Sequence, residues 1–239
     1  MSERFSGKVV LVAGGTGGLG RAVSLAFLQE GAKVAVTYRK QEEFDALKQA
    51  AGADASRLGG YVTDVTDESA VSQLVGKILT EHARLDALVN AVGGYAGGKP
   101  LWDSESRVLD QMLALNLRSG YALSRAVVPA MLKQKHGAIV NIAAKAALDH
   151  LAGAAAYAAS KAAALTLFDS LAADLKGSGV RANSVLPSII DTEANRKAMP
   201  ESDFAIWPKP EDIARVILFL CSDDARVIHG AAIPVYGDS

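Results

Sequence analysis

The chain begins with a short apolar run that leads directly into a cluster of glycines. The run Lys8-Val-Val-Leu-Val-Ala13 reads as a buried strand, Gly14-Gly-Thr-Gly-Gly-Leu-Gly20 follows it, and the apolar-periodic segment 21–30 predicts a helix. Glycines allow positive φ and close approach of the backbone, and a helix N-terminus offers free N–H groups and a positive dipole end to an anion. The order strand, glycine turn, helix therefore predicts a pyrophosphate site, the alternative being a tight turn without a ligand.

Short apolar runs of β type alternate with longer helical patterns along the chain. This alternation predicts an α/β fold with a Rossmann-type, doubly wound sheet of about seven parallel strands, covered by helices on both faces. Ligands of such sheets gather outside the carboxyl ends of the strands. Because there is no repeat or linker, residues 1–239 are predicted to form a single domain, in which the irregular segment 188–210 covers the substrate. The predicted strands are 8–13, 33–38, 58–63, 86–90, 138–143, 180–186 and 231–235, and the predicted helices are 18–30, 41–50, 67–82, 105–135, 154–177 and 210–222.

Composition narrows the class of function. With 239 residues, of which 50% are hydrophobic, the chain is long enough for one large core, and a net charge of −1 gives no electrostatic case for nucleic acid or an anionic membrane. The single cysteine, Cys221, is expected in the core, and the histidines at 82, 136, 150 and 229 lack metal-ligand spacing, so no metal site is predicted. No apolar run approaches the roughly 20 residues that span a bilayer, and a cytoplasmic protein is expected.

A tyrosine and a lysine lie four positions apart in the alanine-rich segment Tyr157-Ala-Ala-Ser-Lys161. In a helix such positions share a face, so the ammonium is expected beside the phenol. A tyrosine normally has a pKa near about 10, and a nearby cation favours the phenolate, so Lys161 is predicted to lower the pKa of Tyr157. The pair is then a candidate acid/base near neutral pH. The alternative is a packed tyrosine with a solvated lysine.

The spacing Gly14-x-x-x-Gly18-x-Gly20, with Tyr157 and Lys161 downstream, resembles the short-chain dehydrogenase/reductase family over nearly the whole chain. Matching segments follow in order: Asp64-Val65, Asn90-Ala-Val-Gly93, Leu115-Asn-Leu117 and Pro187-Ser-Ile-Ile-Asp-Thr192. The resemblance implies a nicotinamide dinucleotide and a catalytic set of Tyr157, Lys161 and Asn116, the last continuing the proton relay. It assigns the cofactor to Gly14, Thr16, Gly18, Leu19, Gly20, Arg39, Asp64, Val65, Asn90, Ala91, Gly93, Lys161, Pro187, Ile190 and Thr192.

The form of the dinucleotide depends on the end of the second strand. NAD enzymes generally carry an acid there for the ribose 2′-hydroxyl, and NADP enzymes a base for the phosphate. Here the strand ends in Tyr38-Arg39, with Glu42 and Glu43 a turn later. NADP(H) is therefore predicted through Arg39, while NAD(H) stays possible. The alternative is a solvated arginine, because Gly17 stands where many NADP-using relatives carry another arginine.

Ala144 occupies the position, thirteen residues before Tyr157, where most members of the family have a serine that holds the substrate oxygen. Loss of one donor to a developing oxyanion costs on the order of 100- to 1000-fold in rate, so either the substrate does not need that donor or the enzyme is weakened. The first option is favoured by segments 93–98, 144–149 and 191–207, which resemble the dihydropteridine reductase branch of the family. The resemblance implies that this branch also has alanine at that position.

Three functions follow from this resemblance. The first is an NAD(P)H-dependent reductase of quinonoid dihydropterin or a similar flat, electron-poor ring, with Tyr157 as proton donor, because a conjugated imine needs a proton donor more than an oxyanion clamp. The second is a carbonyl or 3-oxoacyl reductase or a secondary-alcohol dehydrogenase, and the third is a nucleotide-binding pseudo-enzyme.

The candidates for contact with the small-molecule substrate are Tyr95, Ala144, Lys145 and Trp207. Tyr95 and Trp207 are expected either to stack on a flat ring or to pack two loops. Lys145 either binds substrate or, with Asp149, closes the loop that follows Ala144. The resemblance also implies a homodimer or homotetramer that pairs through the helices near 105–135 and 154–177.

Overall fold

A seven-stranded parallel sheet forms the centre of the computed structural model, which describes residues 3–239. Its strands are β1 (Val9–Ala13), β2 (Lys33–Tyr38), β3 (Leu58–Val62), β4 (Ala87–Asn90), β5 (Gly137–Ile142), β6 (Val180–Pro187) and β7 (Ala232–Val235). Their order in the sheet is β3-β2-β1-β4-β5-β6-β7, and every neighbouring pair is parallel. The predicted fold class is confirmed, and each predicted strand end lies within one residue of the observed one.

Eight α-helices surround the sheet in the described part of the chain. They are α1 (Gly18–Gln29), α2 (Gln41–Ala51), α3 (Glu68–His82), α4 (Ser106–Leu113), α5 (Ser119–Gln134), α6 (Ala155–Asp174), α7 (Glu193–Ala198) and α8 (Pro210–Cys221). The helix predicted over 105–135 is divided, because a π-helical turn, Ala114–Arg118, separates α4 from α5. The segment predicted as an irregular cover, 188–210, contains the short helix α7.

Alternate residues of the central strands face two separate apolar layers. Val10 and Val12 of β1 pack in a cluster with the buried faces of α1 and α8, whereas Val9 and Leu11 pack with those of α3, α5 and α6. Strand side chains alternate between the two faces of a sheet, so a parallel sheet covered on both sides needs apolar residues at every position. This explains the uninterrupted apolar sequence of β1.

The strand order reverses direction between β1 and its two neighbours. β1 pairs with β2 on one side and with β4 on the other, so the helices after β1 and β4 leave in opposite directions along the sheet. A crevice opens outside the carboxyl ends of the strands at such a switch point. Ala13 and Asn90, which end these two strands, are paired in register. The glycine turn and the segment after Asn90 therefore flank the same crevice.

The structure bears on the cysteine, on membrane-spanning helices and on metal-ligand clusters within the described residues. Cys221 is buried at the end of α8, and burial raises the pKa of its thiol to about 12, so it is a core residue. Within residues 3–239, no helix has both the length and the apolar character needed to cross a membrane. The same residues contain no cluster of three or more histidine, cysteine, aspartate or glutamate side chains arranged to hold a metal ion.

Candidate active site

The turn after β1 contains glycines at which a side chain would be strained or would collide with neighbouring atoms. Gly14 has a φ of 73° and its N–H donates to Thr37 Oγ1 at 2.8 Å. A Cβ on Gly20 would overlap the carbonyl oxygen of Gly14, and one on Gly18 would lie 2.8 Å from Thr192 Cγ2. The turn therefore brings the backbone of α1 close to both its own strand and the segment after β6.

The N-terminus of α1 has the features of an anion site. Its N-cap, Gly17, is exposed and forms no side-chain capping hydrogen bond, and there is no acidic residue in the first turn. Thr16 and Gly18 lie beside Gly17 near the surface, whereas Leu19 and Gly20 are buried. Uncapped N–H groups at a helix N-terminus attract a phosphate through hydrogen bonds and the helix dipole. The residues present therefore fit the pyrophosphate of a dinucleotide.

Arg39 and Asp64 lie on the edge where an adenosine half would bind. Arg39 is exposed directly after β2. Asp64 Oδ1 accepts hydrogen bonds from Thr66 N at 2.9 Å and Thr66 Oγ1 at 2.7 Å, and these bonds, with a smaller contribution from Arg39, hold the pKa of the carboxyl below its usual value. Val65, which follows Asp64 in the chain, is buried and packs into the core. Arg39 therefore lies close enough to Asp64 for its charge to favour the carboxylate.

The segment after β4 is fixed by the side chain of Asn116. This side chain occupies the π turn, where its Oδ1 accepts from Gly94 N at 2.9 Å and its Nδ2 donates to Gly94 O at 3.0 Å. Nδ2 also donates to Ser160 Oγ at 2.9 Å. The amide is thus engaged with protein groups at both ends. The side chain therefore positions the loop after β4 and helix α6, and the part of Asn116 in a proton relay stays a prediction.

Glycine is required at position 93 by the same arrangement. A Cβ on Gly93 would lie 2.9 Å from Asn116 Oδ1 and 3.2 Å from Lys161 Nζ. Asn90, three residues earlier, is buried and donates from Nδ2 to Asn141 Oδ1 at 3.1 Å across neighbouring strands. Asn90, Ala91 and Gly93 therefore lie together at the end of β4, where Ala91 is next to Gly14 of the glycine turn, and their contact with the cofactor stays a prediction.

Lys161 is held in the floor of this site. It is 6% exposed, and its ammonium donates to Ile142 O at 2.8 Å. Burial disfavours the charged form and lowers the pKa of Lys161 to about 8. Helix α6 presents Lys161 to the carboxyl end of β5, beside Gly93.

Tyr157 lies on α6 one turn before Lys161, next to a second aromatic residue. Its ring centroid is 5.0 Å from that of Tyr95, and the two ring planes meet at 74°. The pKa of Tyr157 is raised to about 12, first by burial and then by the neighbouring Tyr95. In the protein alone this direction is opposite to the lowering predicted from Lys161, because desolvation of the phenolate is the largest influence on the pKa.

Tyr95 and Trp207, the two candidate stacking residues, differ in exposure. The side chain of Tyr95 is 67% exposed, whereas Trp207 is 5% exposed and packs against Phe204 with ring centroids 5.0 Å apart. Trp207 N also donates to Phe204 O at 3.2 Å. The covering segment folds on itself here, so the contacts of Trp207 match the alternative in which it packs a loop.

The loop after β5 has no hydroxyl at Ala144, which is 7% exposed and begins a short 3-10 turn. The next residue, Lys145, places its ammonium 3.9 Å from Asp149 Oδ2 and 5.2 Å from the ring centroid of Tyr236. Both contacts tie the loop to itself and to the chain after β7. The loop-closing alternative for Lys145 and Asp149 therefore matches the contacts better than a substrate role.

The segment after β6 returns to the glycine turn. Pro187 ends β6, and Ile190 O accepts from Thr192 N and Asn195 Nδ2, both at 2.8 Å. Thr192 caps α7 by accepting from Asn195 N at 3.2 Å, and its methyl group faces Gly18. The predicted residues Pro187, Ile190 and Thr192 therefore complete the crevice on the side of β6.

Two residues with site contacts were not among those predicted. Ser160 is fully buried, accepts from Asn116 and donates to Tyr157 O at 2.7 Å, so it connects the π turn to α6. Glu43 accepts from Thr16 Oγ1 at 3.1 Å. Ser160 lies within the tyrosine–lysine segment and Glu43 lies one turn after β2. Their places beside predicted site residues are the only features of the sequence that point to them.

The fold and this site together define a class of protein. A parallel sheet with a glycine turn at its switch point, and a tyrosine and a buried lysine beside the crevice, is the arrangement of a dinucleotide-dependent oxidoreductase. The chain belongs to the short chain dehydrogenase family, whose sequence model matches residues 8–203. Its cofactor is a nicotinamide dinucleotide.

Known proteins with both forms of the cofactor are similar to this chain. The 3-oxoacyl-[acyl-carrier-protein] reductase FabG of Thermotoga maritima is 33% identical over 242 residues, which are 98% of this chain and 98% of that protein. The structure of ElxO with NADP bound has a TM-score of 0.91 and 28% identity, covering 96% of this chain and 97% of ElxO. The NAD⁺-bound structure of xylitol dehydrogenase has a TM-score of 0.90 and 26% identity, covering 98% of this chain and 99% of that one.

Proposed function

We propose that this oxidoreductase reduces a flat, electron-poor ring of the quinonoid dihydropterin type. The observation that supports this substrate class is the exposed ring of Tyr95, which lies edge-on to Tyr157 in a site where Ala144 supplies no hydroxyl. A flat ring needs an apolar surface and a proton donor, whereas a ketone needs an oxyanion donor as well. The segments that resemble dihydropteridine reductase point to the same substrate class.

The residues of the site divide the work of such a reduction. The nicotinamide supplies the hydride when it is bound. Tyr157, with its pKa raised to about 12, stays protonated at neutral pH and donates its proton to a ring nitrogen of the substrate. Lys161 would hold the nicotinamide ribose from the floor of the crevice. Asn116 and Ser160 fix the loop and helix that carry Tyr95 and Tyr157.

We infer a preference for NADPH from the edge after β2. Arg39 is exposed there, where a 2′-phosphate would lie, and a guanidinium forms charge-assisted hydrogen bonds with phosphate. The test is the ratio of kcat/KM values with NADPH and NADH. Equal values or a preference for NADH would refute the assignment.

The substrate class is tested by turnover with quinonoid dihydropterin. Purified protein with NADPH or NADH is expected to reduce it, and Ala144→Ser is expected to change the rate by less than about threefold, because the reaction uses no oxyanion donor at that position. The control is Tyr157→Phe, which removes the proton donor. Absence of turnover by protein whose cofactor binding has been verified would exclude this substrate.

A carbonyl or secondary-alcohol substrate is the second candidate, and the relatives favour it. Thermotoga maritima FabG is a 3-oxoacyl reductase by name, and the similar NAD⁺-bound structure is that of a xylitol dehydrogenase. On this hypothesis Ala144→Ser restores a missing donor, so ketone reduction should rise by about 100-fold. Opposite responses of the two substrates to this one substitution separate the candidates.

A further inference from the structure

The first turn of α2 carries an acid that reaches back to the glycine turn. Glu43 Oε2 accepts a hydrogen bond from Thr16 Oγ1 at 3.1 Å, and Glu43 Oε1 lies 3.5 Å from Lys40 Nζ. Thr16 belongs to the turn after β1, and Lys40 lies just beyond the end of β2. The carboxylate of Glu43 therefore bridges the two sides of the edge where the adenosine ribose is proposed to bind.

Charges of both signs meet at this edge. Arg39 and Lys40 are exposed, and the side chain of Glu43 is 42% exposed, so all three are accessible to a bound nucleotide. The carboxylate of Glu43 accepts the hydrogen bond that the Thr16 hydroxyl donates, and it forms an ion pair with Lys40. The neighbouring Glu42 is also exposed, and neither a hydrogen bond nor an ion pair joins it to another side chain within residues 3–239. The two acids thus differ in contact but have the same charge.

We propose that Glu43 is a second specificity-determining residue for the dinucleotide and that it opposes Arg39. A carboxylate accepts a hydrogen bond from a ribose 2′-hydroxyl, as acidic residues do in NAD-binding sites, but repels a 2′-phosphate. It also removes Lys40 and Thr16 from the groups that would otherwise bind that phosphate. Glu43 therefore reduces the preference for NADPH that Arg39 creates, without reversing it.

This proposal rests on the proposed position of the ribose and on nothing about the substrate. Its test is calorimetric titration of the purified protein with NADPH and with NADH, and the result is the ratio of the two dissociation constants. Glu43→Gln keeps the size and the hydrogen-bonding oxygen but removes the charge. It should shift the ratio toward NADPH by about tenfold, the effect of removing one like charge near a phosphate. Arg39→Gln should shift the ratio toward NADH.

Glu42→Gln is the matched control, because it removes the same charge from the same helical turn without touching Thr16. It should leave the ratio within about twofold of the wild-type value, since an exposed charge without contact is screened. An unchanged ratio in Glu43→Gln would overturn the proposal, as would an equal shift in Glu42→Gln. Because binding is measured without turnover, failure here is separate from failure of the proposed substrate.

Discussion

The ammonium of Lys161 is buried and donates to the carbonyl oxygen of Ile142. Its pKa is lowered from 10.5 to about 8, so between these values the unfolded chain binds a proton that the folded protein has released. Stability therefore rises with pH across this window. Below pH 8, Lys161 is charged in both the folded and the unfolded protein, so the full cost of burying its charge opposes folding.

We therefore expect Lys161→Met to stabilise the protein most at neutral pH. The difference in free energy of unfolding between the variant and the wild type should fall by about 3 kcal/mol between pH 7 and pH 10.5. Urea denaturation at a series of pH values measures this difference, and other titrating groups cancel in the comparison. A pH-independent difference would show that Lys161 has an ordinary pKa in the folded protein.

Tyr157→Phe tests the proton donor directly. The variant should lose about 100- to 10,000-fold in turnover with any substrate, because a positioned general acid contributes a factor of this size. Binding of NADPH, followed by fluorescence titration, should change by less than about threefold, since the phenyl ring keeps the contact with Tyr95. A variant that retained a tenth of the activity would require another proton donor.

The loop between β4 and α4 transmits the position of the π turn to the reacting groups. Asn116 binds both backbone groups of Gly94, and Gly93 lies against Asn116 and Lys161. Gly93→Ala should therefore lower kcat/KM more than tenfold, because its Cβ would come 2.9 Å from Asn116 Oδ1 and displace the amide. Steady-state kinetics and a thermal melt together separate this effect from unfolding.

Gly76→Ala is the matched control for that substitution. Gly76 lies inside α3, where a Cβ would meet nothing within 4 Å. Alanine should raise the free energy of unfolding by up to about 1 kcal/mol through helix propensity, with no change in kcat/KM. If Gly93→Ala behaved in the same way, the loop would not position the site.

Strands were predicted more closely than the site because their signal is local. The apolar run of β1 and the glycines after it are adjacent in the chain, so composition alone locates the strand end and the turn. The π turn escaped prediction, since one extra residue in a helical turn shifts the apolar pattern too little to be seen beside α4 and α5. Sequence periodicity therefore predicted one long helix.

Contacts between distant segments could not be predicted. Trp207 is buried and packs against Phe204, and the sequence shows two aromatic residues without their relative position. The pKa of Tyr157 depends on its burial and on Tyr95, which lies on another element. By contrast, Gly93, Asn116 and Lys161 each match a family motif in the sequence, and the structure places them side by side.

At the level of the whole protein, α5 and α6 present an outward face to solvent. A groove of about 270 Å³ runs between them, and the side chain of Tyr121 on its rim is 46% exposed. Large exposed apolar groups beside a groove favour association with a complementary surface. We propose that a second copy of the chain covers this face, giving the homodimer or homotetramer expected from the family resemblance.

Sedimentation velocity tests this association. The mass obtained for the wild type should be twice or four times the chain mass of 24.9 kDa. Tyr121→Glu should lower this mass toward that of the monomer, because a carboxylate buried at an interface without a partner opposes association. Val227→Glu is the control, since Val227 is 84% exposed, follows α8 in the chain and does not line the groove. Its mass should equal that of the wild type. A wild-type monomer at micromolar concentration, or equal dissociation of both variants, would contradict an interface on α5 and α6.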